Sequence, residues 1–267
     1  MYADIHCHIL PGHDDGAKNS ETALEMAKTA CLKGTGHIIA TPHVILGSVK
    51  QNREHVKESI VMLTRQMQDE GLNLTIYPGC EVFICPDLPD LYEKGLIFTL
   101  NDSCYMLIEL PMMEIPPYTE DVLYGLQLKG IVPIIAHPER NQVLQRDMRF
   151  LQEAVERGIL AQVNSGSITG LYGKAANRTA LKMIETNCIH FVASDAHTNR
   201  TRTTNLSKAA KIVLELFGKT VMETLFINNG MAVITSGDIT GTDCQINHLR
   251  MMIKKTKLYF QAIKGEL

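Results

Sequence analysis

Met1-Tyr2-Ala3-Asp4-Ile5-His6-Cys7-His8 opens the chain with a short apolar run that ends in a His-x-His pair. In a strand such a pair projects both imidazoles from one face, about two residues of rise apart, so both can reach one cation. Cys7 then points the opposite way and packs. The same ending recurs along the sequence. Asp195-Ala196-His197 follows Phe191-Val192-Ala193-Ser194, and Glu81 follows Tyr77-Pro78-Gly79-Cys80. His43 closes Ile38-Ile39-Ala40-Thr41-Pro42, and His137 closes Ile134-Ile135-Ala136. Glu109 stands inside Leu107-Ile108-Glu109-Leu110, where an uncompensated charge is costly and a cation is needed. With Asp15 from the loop after His8, nine residues share this placement: His6, His8, Asp15, His43, Glu81, Glu109, His137, Asp195 and His197. Taken singly, each has an ordinary explanation, a histidine bonded to backbone or a glutamate paired with an arginine. Nine together describe how a barrel enzyme gathers a multinuclear metal site at the ends of several strands.

Seven apolar, partly β-branched runs carry or precede these residues: 3–5, 37–40, 74–77, 105–110, 131–136, 160–163 and 189–193. Near-continuous apolar runs suit strands buried on both faces of a parallel sheet. Helical patterns fall between most of them, at 21–33, 53–70, 88–94, 120–129, 148–157 and 174–185, with Ser20 expected to cap the first and Gly34 to stop it. The fold class is α/β. An open doubly wound sheet would concentrate functional groups at one switch point, whereas here the first five strands and the seventh all carry or precede candidate ligands, so a closed ring is the simpler geometry. The sixth run ends in Asn164-Ser165-Gly166-Ser167, suited to a substrate-contacting loop or to a plain turn. Helical patterns at 206–217 and 220–226 follow, and the amphipathic, mildly basic stretch 245–265 reads as a closing helix or a docking segment.

Composition excludes several classes. Lys+Arg number 26 against 29 Asp+Glu, a net charge of -3, which gives no electrostatic reason to expect general nucleic-acid or membrane binding. A hydrophobic share of 45% supports a substantial core, and no run approaches the roughly 18 apolar residues of a membrane span. No basic segment followed by an apolar stretch opens the chain, so a cytoplasmic location is expected. Seven cysteines, an odd count without a Cys-x-x-Cys pair, read as reduced thiols.

Imidazole and carboxylate ligands without thiolate suit manganese, zinc, iron or magnesium, and the carboxylate share leans to manganese, Mn2+. Closely spaced ions lower the pKa of a bound water from about 15.7 towards about 7 and clamp the oxygens of a phosphorus centre, so phosphoester hydrolysis is the natural reaction. Arg140 in His137-Pro138-Glu139-Arg140 and Arg202, five residues beyond His197, stand where a bidentate grip on phosphate is expected; Arg200 is a further neighbour. His37, His55, His190 and His248 read as structural, and His13 shares the loop of Asp15.

The constellation resembles the PHP family, named for polymerase and histidinol phosphatase, and within it the manganese-dependent protein-tyrosine phosphatases of Gram-positive capsule and exopolysaccharide loci. Five stretches carry the resemblance: Asp4 to Gly12 with Asp14-Asp15-Gly16-Ala17, Asn101-Asp102-Ser103, Ile135 to Arg140, Gln162 to Ser165, and Ala193 to His197. It covers residues 1 to about 235 and implies a distorted seven-stranded (β/α)7, TIM-like barrel; the barrel domain is accordingly expected at 1–240, and the helical tail expected at 241–267 rests on its amphipathic pattern alone and falls outside the resemblance. It implies one ion on His6, His8, Glu81 and Asp195, a second on Glu81, Glu109 and His137, and a third on Asp15, His43 and His197. Arg140, Arg202, His43 and His197 are then the catalytic candidates. The implied partner is a phosphorylated bacterial tyrosine autokinase, through its tyrosine-rich tail. A leaving phenolate with a pKa of about 10 makes a strong general acid less necessary.

Particular residues separate the rival readings. Cys244 to Arg250 satisfies a Cys-x5-Arg spacing, but the intervening residues hold no glycine to cradle phosphate and Asp243 opposes a thiolate. A small-molecule phosphatase of histidinol-phosphate type, or a phosphodiesterase, would use nearly the same metal site. A non-enzymatic scaffold of a polysaccharide assembly complex would not need the two arginines.

Overall fold

The computed structural model describes residues 1–44 and 52–241. Its strands are β1 (Tyr2–Cys7), β2 (Thr35–Ala40), β3 (His43–Val44), β4 (Thr75–Pro78), β5 (Glu81–Phe83), β6 (Tyr105–Glu109), β7 (Val132–Ala136), β8 (Leu160–Asn164) and β9 (Phe191–Ala193). They form one sheet in the order β1-β2-β4 and another in the order β3-β5-β6-β7-β8-β9, and every pairing is parallel. The sequence predicts seven strands; nine are found among the described residues, because β3 and β5 form just beyond the predicted runs 37–40 and 74–77, after a break in each chain segment.

Both cuts have a local cause. Pro42, between β2 and β3, has no N–H to give to a ladder, and Pro78 ends β4. Gly79 then lets the chain pass close to its neighbour: a Cβ there would lie 2.6 Å from Ile39 Cγ2 and 3.3 Å from the Ala40 carbonyl. The two broken strands re-pair as β3 and β5, which sets His43 directly opposite Glu81. The outer edges also meet. Cys7 bridges Ala196 in parallel, the His6 and Ala196 carbonyls accept from Asp195 N at 2.8 Å and His8 N at 2.9 Å, and Asp4 Oδ1 accepts from Ser194 N at 2.9 Å.

Helices occupy the connections: Ser20–Leu32, Arg53–Asp69, Leu88–Glu93, Thr119–Leu128, Arg149–Glu156 and Gly173–Glu185 fall where the periodicity places them. The first is capped by Asn19 and not by Ser20; Asn19 is extended and its side chain accepts from Thr22 N at 2.9 Å, which leaves Ser20 as the first helical residue. Gly34 follows at φ +87° and stops it. Asn164-Ser165-Gly166-Ser167 leads into a single helical turn, Ser165–Ile168. At the far end Lys219–Glu223 runs through a wider turn, Thr224–Asn228, into Asn229–Thr235. Gly230 lets this segment lie close on β1, where a Cβ would meet the Ala3 carbonyl oxygen at 2.8 Å. His190 lies just ahead of β9, not within it, and its ring accepts from Ala161 N at 3.2 Å. The stretch 245–265 and the Cys244 to Arg250 spacing lie outside the described residues.

Two apolar layers result. Ile38, Met106, Ile108, Ile135, Val163 and Val192 pack against the helices, while Ala3, Ile5, Ile39, Leu107, Ile134 and Ala193 pack inward with Val233 and Ile234 of the helix Asn229–Thr235. β1 changes register between Asp4 and Cys7, and past that break Cys7 joins the helix-side layer while His6 and His8 come together on the other side.

Candidate metal centre

His6 and His8 are both buried, with Nε2 atoms 3.1 Å apart. Their other ring nitrogens are already engaged: His6 Nδ1 with Gln162 Oε1 at 2.9 Å and His8 Nδ1 with Asp14 Oδ2 at 2.7 Å. That fixes both rings with Nε2 aimed at a common centre, the way an orienting partner sets a ligating imidazole. Glu81 Oε2 closes the centre at 3.2 Å from His6 Nε2, 3.3 Å from His8 Nε2 and 3.0 Å from His43 Nδ1. Asp195 Oδ1 is 3.5 Å from the Nε2 atoms of both His6 and His8.

The remaining ligand candidates extend the cup in two directions. His137 Nε2 lies 3.2 Å from Glu81 Oε1 and 3.6 Å from Glu109 Oε1. Asp15 Oδ1 lies 3.3 Å from His197 Nε2 and 3.7 Å from His43 Nε2. Three sets have donor atoms close enough to share an ion: His6, His8 and Glu81; His43, Glu81 and Glu109; and His8, Asp15, His43 and His197. All nine sequence candidates are thus brought into one cup. The grouping adds His43 to the middle set and His8 to the outer one, while Asp195 and His137 sit at the margins by the distances above.

The donors suit a cation better than one another. Glu81 Oε2 is buried without a hydrogen bond although three imidazole nitrogens surround it, and His197 Nε2 is likewise buried without one. Charge distribution agrees. Burial would push the Glu81 carboxyl up, but the His6 charge and the imidazoles of His137, His6 and His8 hold it well below the usual carboxylate range. Asp195 is held down against burial by His6 and His8. Burial opposes protonation of His6 and His8, yet Glu81 and Asp195 raise the first, and Asp14, Asp195 and Glu81 raise the second well above the ordinary value. Protons on these rings occupy the electrostatic place of a metal.

Two ligand candidates sit in a left-handed backbone conformation, His137 at φ 33° and Asp195 at φ 49°. Neither is glycine, and such strain persists where the surroundings over-determine it. Both arginines converge on one carboxylate: Arg140 Nη1 is 3.1 Å from Asp195 Oδ2 and Arg202 Nη2 is 2.7 Å from Asp195 Oδ1. Arg200 is exposed and takes no part in that contact. His13 turns to Ser59 Oγ at 2.8 Å and packs on His55, tying its loop to the helix Arg53–Asp69. His37 contacts the Tyr77 hydroxyl at 3.1 Å.

Four further residues shape the site, and the sequence assigns none of them a role in orienting the ligands. Asp14 orients His8 and also accepts from His43 N at 2.9 Å. Gln162 orients His6 and donates to Asn164 Oδ1 at 2.8 Å, and Asn164 donates to Asp195 Oδ2 at 2.7 Å. The Tyr172 ring lies 4.5 Å beneath the Arg140 guanidinium. A signal existed for the first three, polar side chains inside or beside the same apolar runs. Tyr172 had none.

Parallel strands whose carboxyl ends gather imidazoles and carboxylates, with two arginines at the rim, define a class of protein: the metal-dependent hydrolases of β/α type. The chain belongs to the family described as capsular polysaccharide synthesis, CpsB/CapC, whose model matches residues 2–235. It is 41% identical over 215 residues to the tyrosine-protein phosphatase YwqE of Bacillus subtilis, covering 80% of this chain and 85% of that one. It is 39% identical over 199 residues to the putative tyrosine-protein phosphatase CapC of Staphylococcus aureus, covering 74% and 78%. Among solved structures, one from the work on YwqE of Bacillus subtilis and CpsB of Streptococcus pneumoniae, described as unique metal-dependent tyrosine phosphatases, superposes with a TM-score of 0.86 at 38% identity over 91% of this chain and 98% of that one. A β-aspartyl dipeptidase of Fervidobacterium islandicum, at 14% identity and a TM-score of 0.55 over 87% and 72%, shares the fold alone.

Proposed function

We propose that this chain is a metal-dependent protein-tyrosine phosphatase acting in capsular or extracellular polysaccharide synthesis. The observation that carries the reading is the convergence of Arg140 and Arg202 on Asp195 at the rim of the nine-residue cup. Two guanidinium groups beside a metal-ligand set are what an incoming phosphate needs, and the relatives above are named for tyrosine dephosphorylation.

In this reading His6, His8, Glu81 and Asp195 hold one ion, Glu81 with Glu109 and His137 a second, and Asp15, His43 and His197 a third, with manganese as the metal. Bound there, metal supplies an acidified water and neutralises charge on the phosphoryl oxygens. Arg140 and Arg202 hold the equatorial oxygens, and Arg202 Nε, buried without an acceptor, keeps a donor in reserve. His43 and His197, flanking Asp15, are the remaining catalytic candidates, acting as ligands of the third ion. No cysteine nucleophile is required.

The finer structural reading takes β2 with β3 and β4 with β5 as two bent staves of one closed seven-stranded ring, joined through the Cys7 to Ala196 bridge. It sets the barrel at 1–240 and the tail beyond. The substrate protein is a tyrosine autokinase of the same polysaccharide system, met in the cytoplasm. Among the described residues no helix is long and apolar enough to cross a membrane.

Metal analysis of freshly purified protein, followed by manganese-dependent turnover of phosphotyrosine and phosphoserine peptides, histidinol phosphate and an oligonucleotide, tests the reading. Preference for phosphotyrosine is expected, and His137→Ala should reduce it at least about a hundredfold. Clear preference for histidinol phosphate or the oligonucleotide sinks it, as does full activity in the His137→Ala protein.

A further inference from the structure

A cavity of about 540 Å³ opens beside the arginine pair, and nothing in the chemistry described so far uses it. Its wall is shared with the site: Arg202 and Tyr172, which touch Asp195 and Arg140 respectively, both line it. Behind them stand Arg200 and Lys208, with hydroxyls from Ser165, Thr169 and Thr203. No aspartate or glutamate is among the described residues that line it. In a chain with net charge -3 that is a local excess of positive charge. Arg202 spends one N–H on Asp195; Arg200 and Lys208 are exposed, and among the described residues neither is in an ion pair. Unpaired cations around a concave space lined by hydroxyls form an electrostatic and hydrogen-bonding match for an oxyanion.

The cavity is also built, not incidental. Gly166 lies so close to the Tyr172 ring that a Cβ would meet Cε2 at 2.8 Å, so the glycine of Asn164-Ser165-Gly166-Ser167 lets the ring sit in the cavity wall, between Arg140 and the space that Arg202 also lines.

We propose that this cavity is a second anion subsite, which receives an acidic group flanking the phosphotyrosine of a peptide substrate: a carboxylate side chain or a second phosphate. The inference rests on the phosphotyrosine reading of the site and deepens it, giving Arg200 and Lys208 the role of specificity residues. The substrate phosphate lies against Arg140 and Arg202, and the neighbouring acid passes Tyr172 to reach Arg200 and Lys208.

The test uses the full chain loaded with manganese. Three phosphotyrosine peptides of one sequence are compared, with alanine, glutamate or a second phosphotyrosine beside the target, in wild type, Arg200→Glu and Lys208→Glu. Wild type should show kcat/KM about three- to tenfold higher for the two anionic peptides, expressed in KM and weakened by salt. Each charge reversal should bring the ratio to the alanine peptide close to one. Glutamate matching the second phosphate identifies a general acidic flank; phosphate exceeding it identifies a doubly phosphorylated segment. Equal turnover of all three peptides by wild type, or a preference that survives both reversals, overturns the subsite. Fluorescence anisotropy of the labelled glutamate and alanine peptides provides a readout independent of hydrolysis. Tighter binding of the glutamate peptide, lost in Lys208→Glu, upholds the subsite even if turnover shows that the phosphatase reading fails, and equal binding refutes it.

Discussion

Asp14 Oδ2 sits 2.7 Å from His8 Nδ1 and 2.9 Å from His43 N, so one carboxylate both aims an imidazole and pins the strand that brings the next one. Replacing an orienting partner of this kind costs metal affinity without removing a ligand. Asp14→Asn should therefore weaken manganese binding about 10- to 100-fold while the nine ligand candidates remain, and titration calorimetry with an unchanged Kd would exclude the orienting role. The neighbouring Asp15 was legible from sequence and Asp14 was not, because both lie in a polar loop and only folding reveals which carboxylate faces His8. Tyr172 is the harder case. Its ring under Arg140, at 4.5 Å, joins side chains 32 positions apart with no pattern to announce them. A cation over an aromatic face at a half-exposed position contributes about 0.5–1 kcal/mol. Tyr172→Leu should lower kcat/KM for a phosphotyrosine peptide about two- to fivefold, whereas Tyr172→Phe, which keeps the face, should stay near wild type. Equal losses in the two variants would assign the effect to the hydroxyl instead.

At the scale of the elements, apolar runs and glycine stops located most of the strands and helices because both signals are local: a strand buried on two faces is apolar throughout, and a helix needs a residue that tolerates positive φ at its end. The breaks in two strands were not legible. Pro42 was visible as a restriction on the backbone, but that β3 would re-pair with β5 and set His43 against Glu81 follows from partners outside the local sequence. Gly79 is the hinge of that arrangement, with Ile39 Cγ2 2.6 Å and Leu100 Cδ2 2.9 Å from where a Cβ would stand. Gly79→Val must force β4 away from β2, at about 1–3 kcal/mol for overpacking. Because Glu81 lies two residues beyond, the same variant should lose manganese affinity as well as stability in denaturant titration. Loss of stability with metal binding intact would show that the β4 break does not position Glu81.

Across the whole molecule, the cup ties residue 6 to residue 197, so metal binding and folding share one free energy. Buried carboxylates and imidazoles packed at 3.0–3.5 Å are costly unless something carries the positive charge. A metal that binds the native chain and not the unfolded one adds about 2.7 kcal/mol at a concentration one hundredfold above Kd. For a chain of this length each kcal/mol moves the thermal midpoint by about 2–4 °C, so manganese should raise Tm by roughly 5–10 °C over chelated protein and do so in a concentration-dependent way. The sign of the pH dependence follows from His6 and His8, whose pKa values are raised by Glu81, Asp195 and Asp14. Their protons favour the metal-free folded state, with that stabilisation fully present below the ordinary histidine range near 6.5 and lost as pH rises through the raised values. Metal must displace those protons, so the manganese-induced rise in Tm should grow with increasing pH and shrink on acidification. Thermal scans at graded manganese and several pH values measure both slopes. A shift in Tm independent of pH would mean that the ions are held without His6 and His8, and would remove the strand-end pair from the centre of the site.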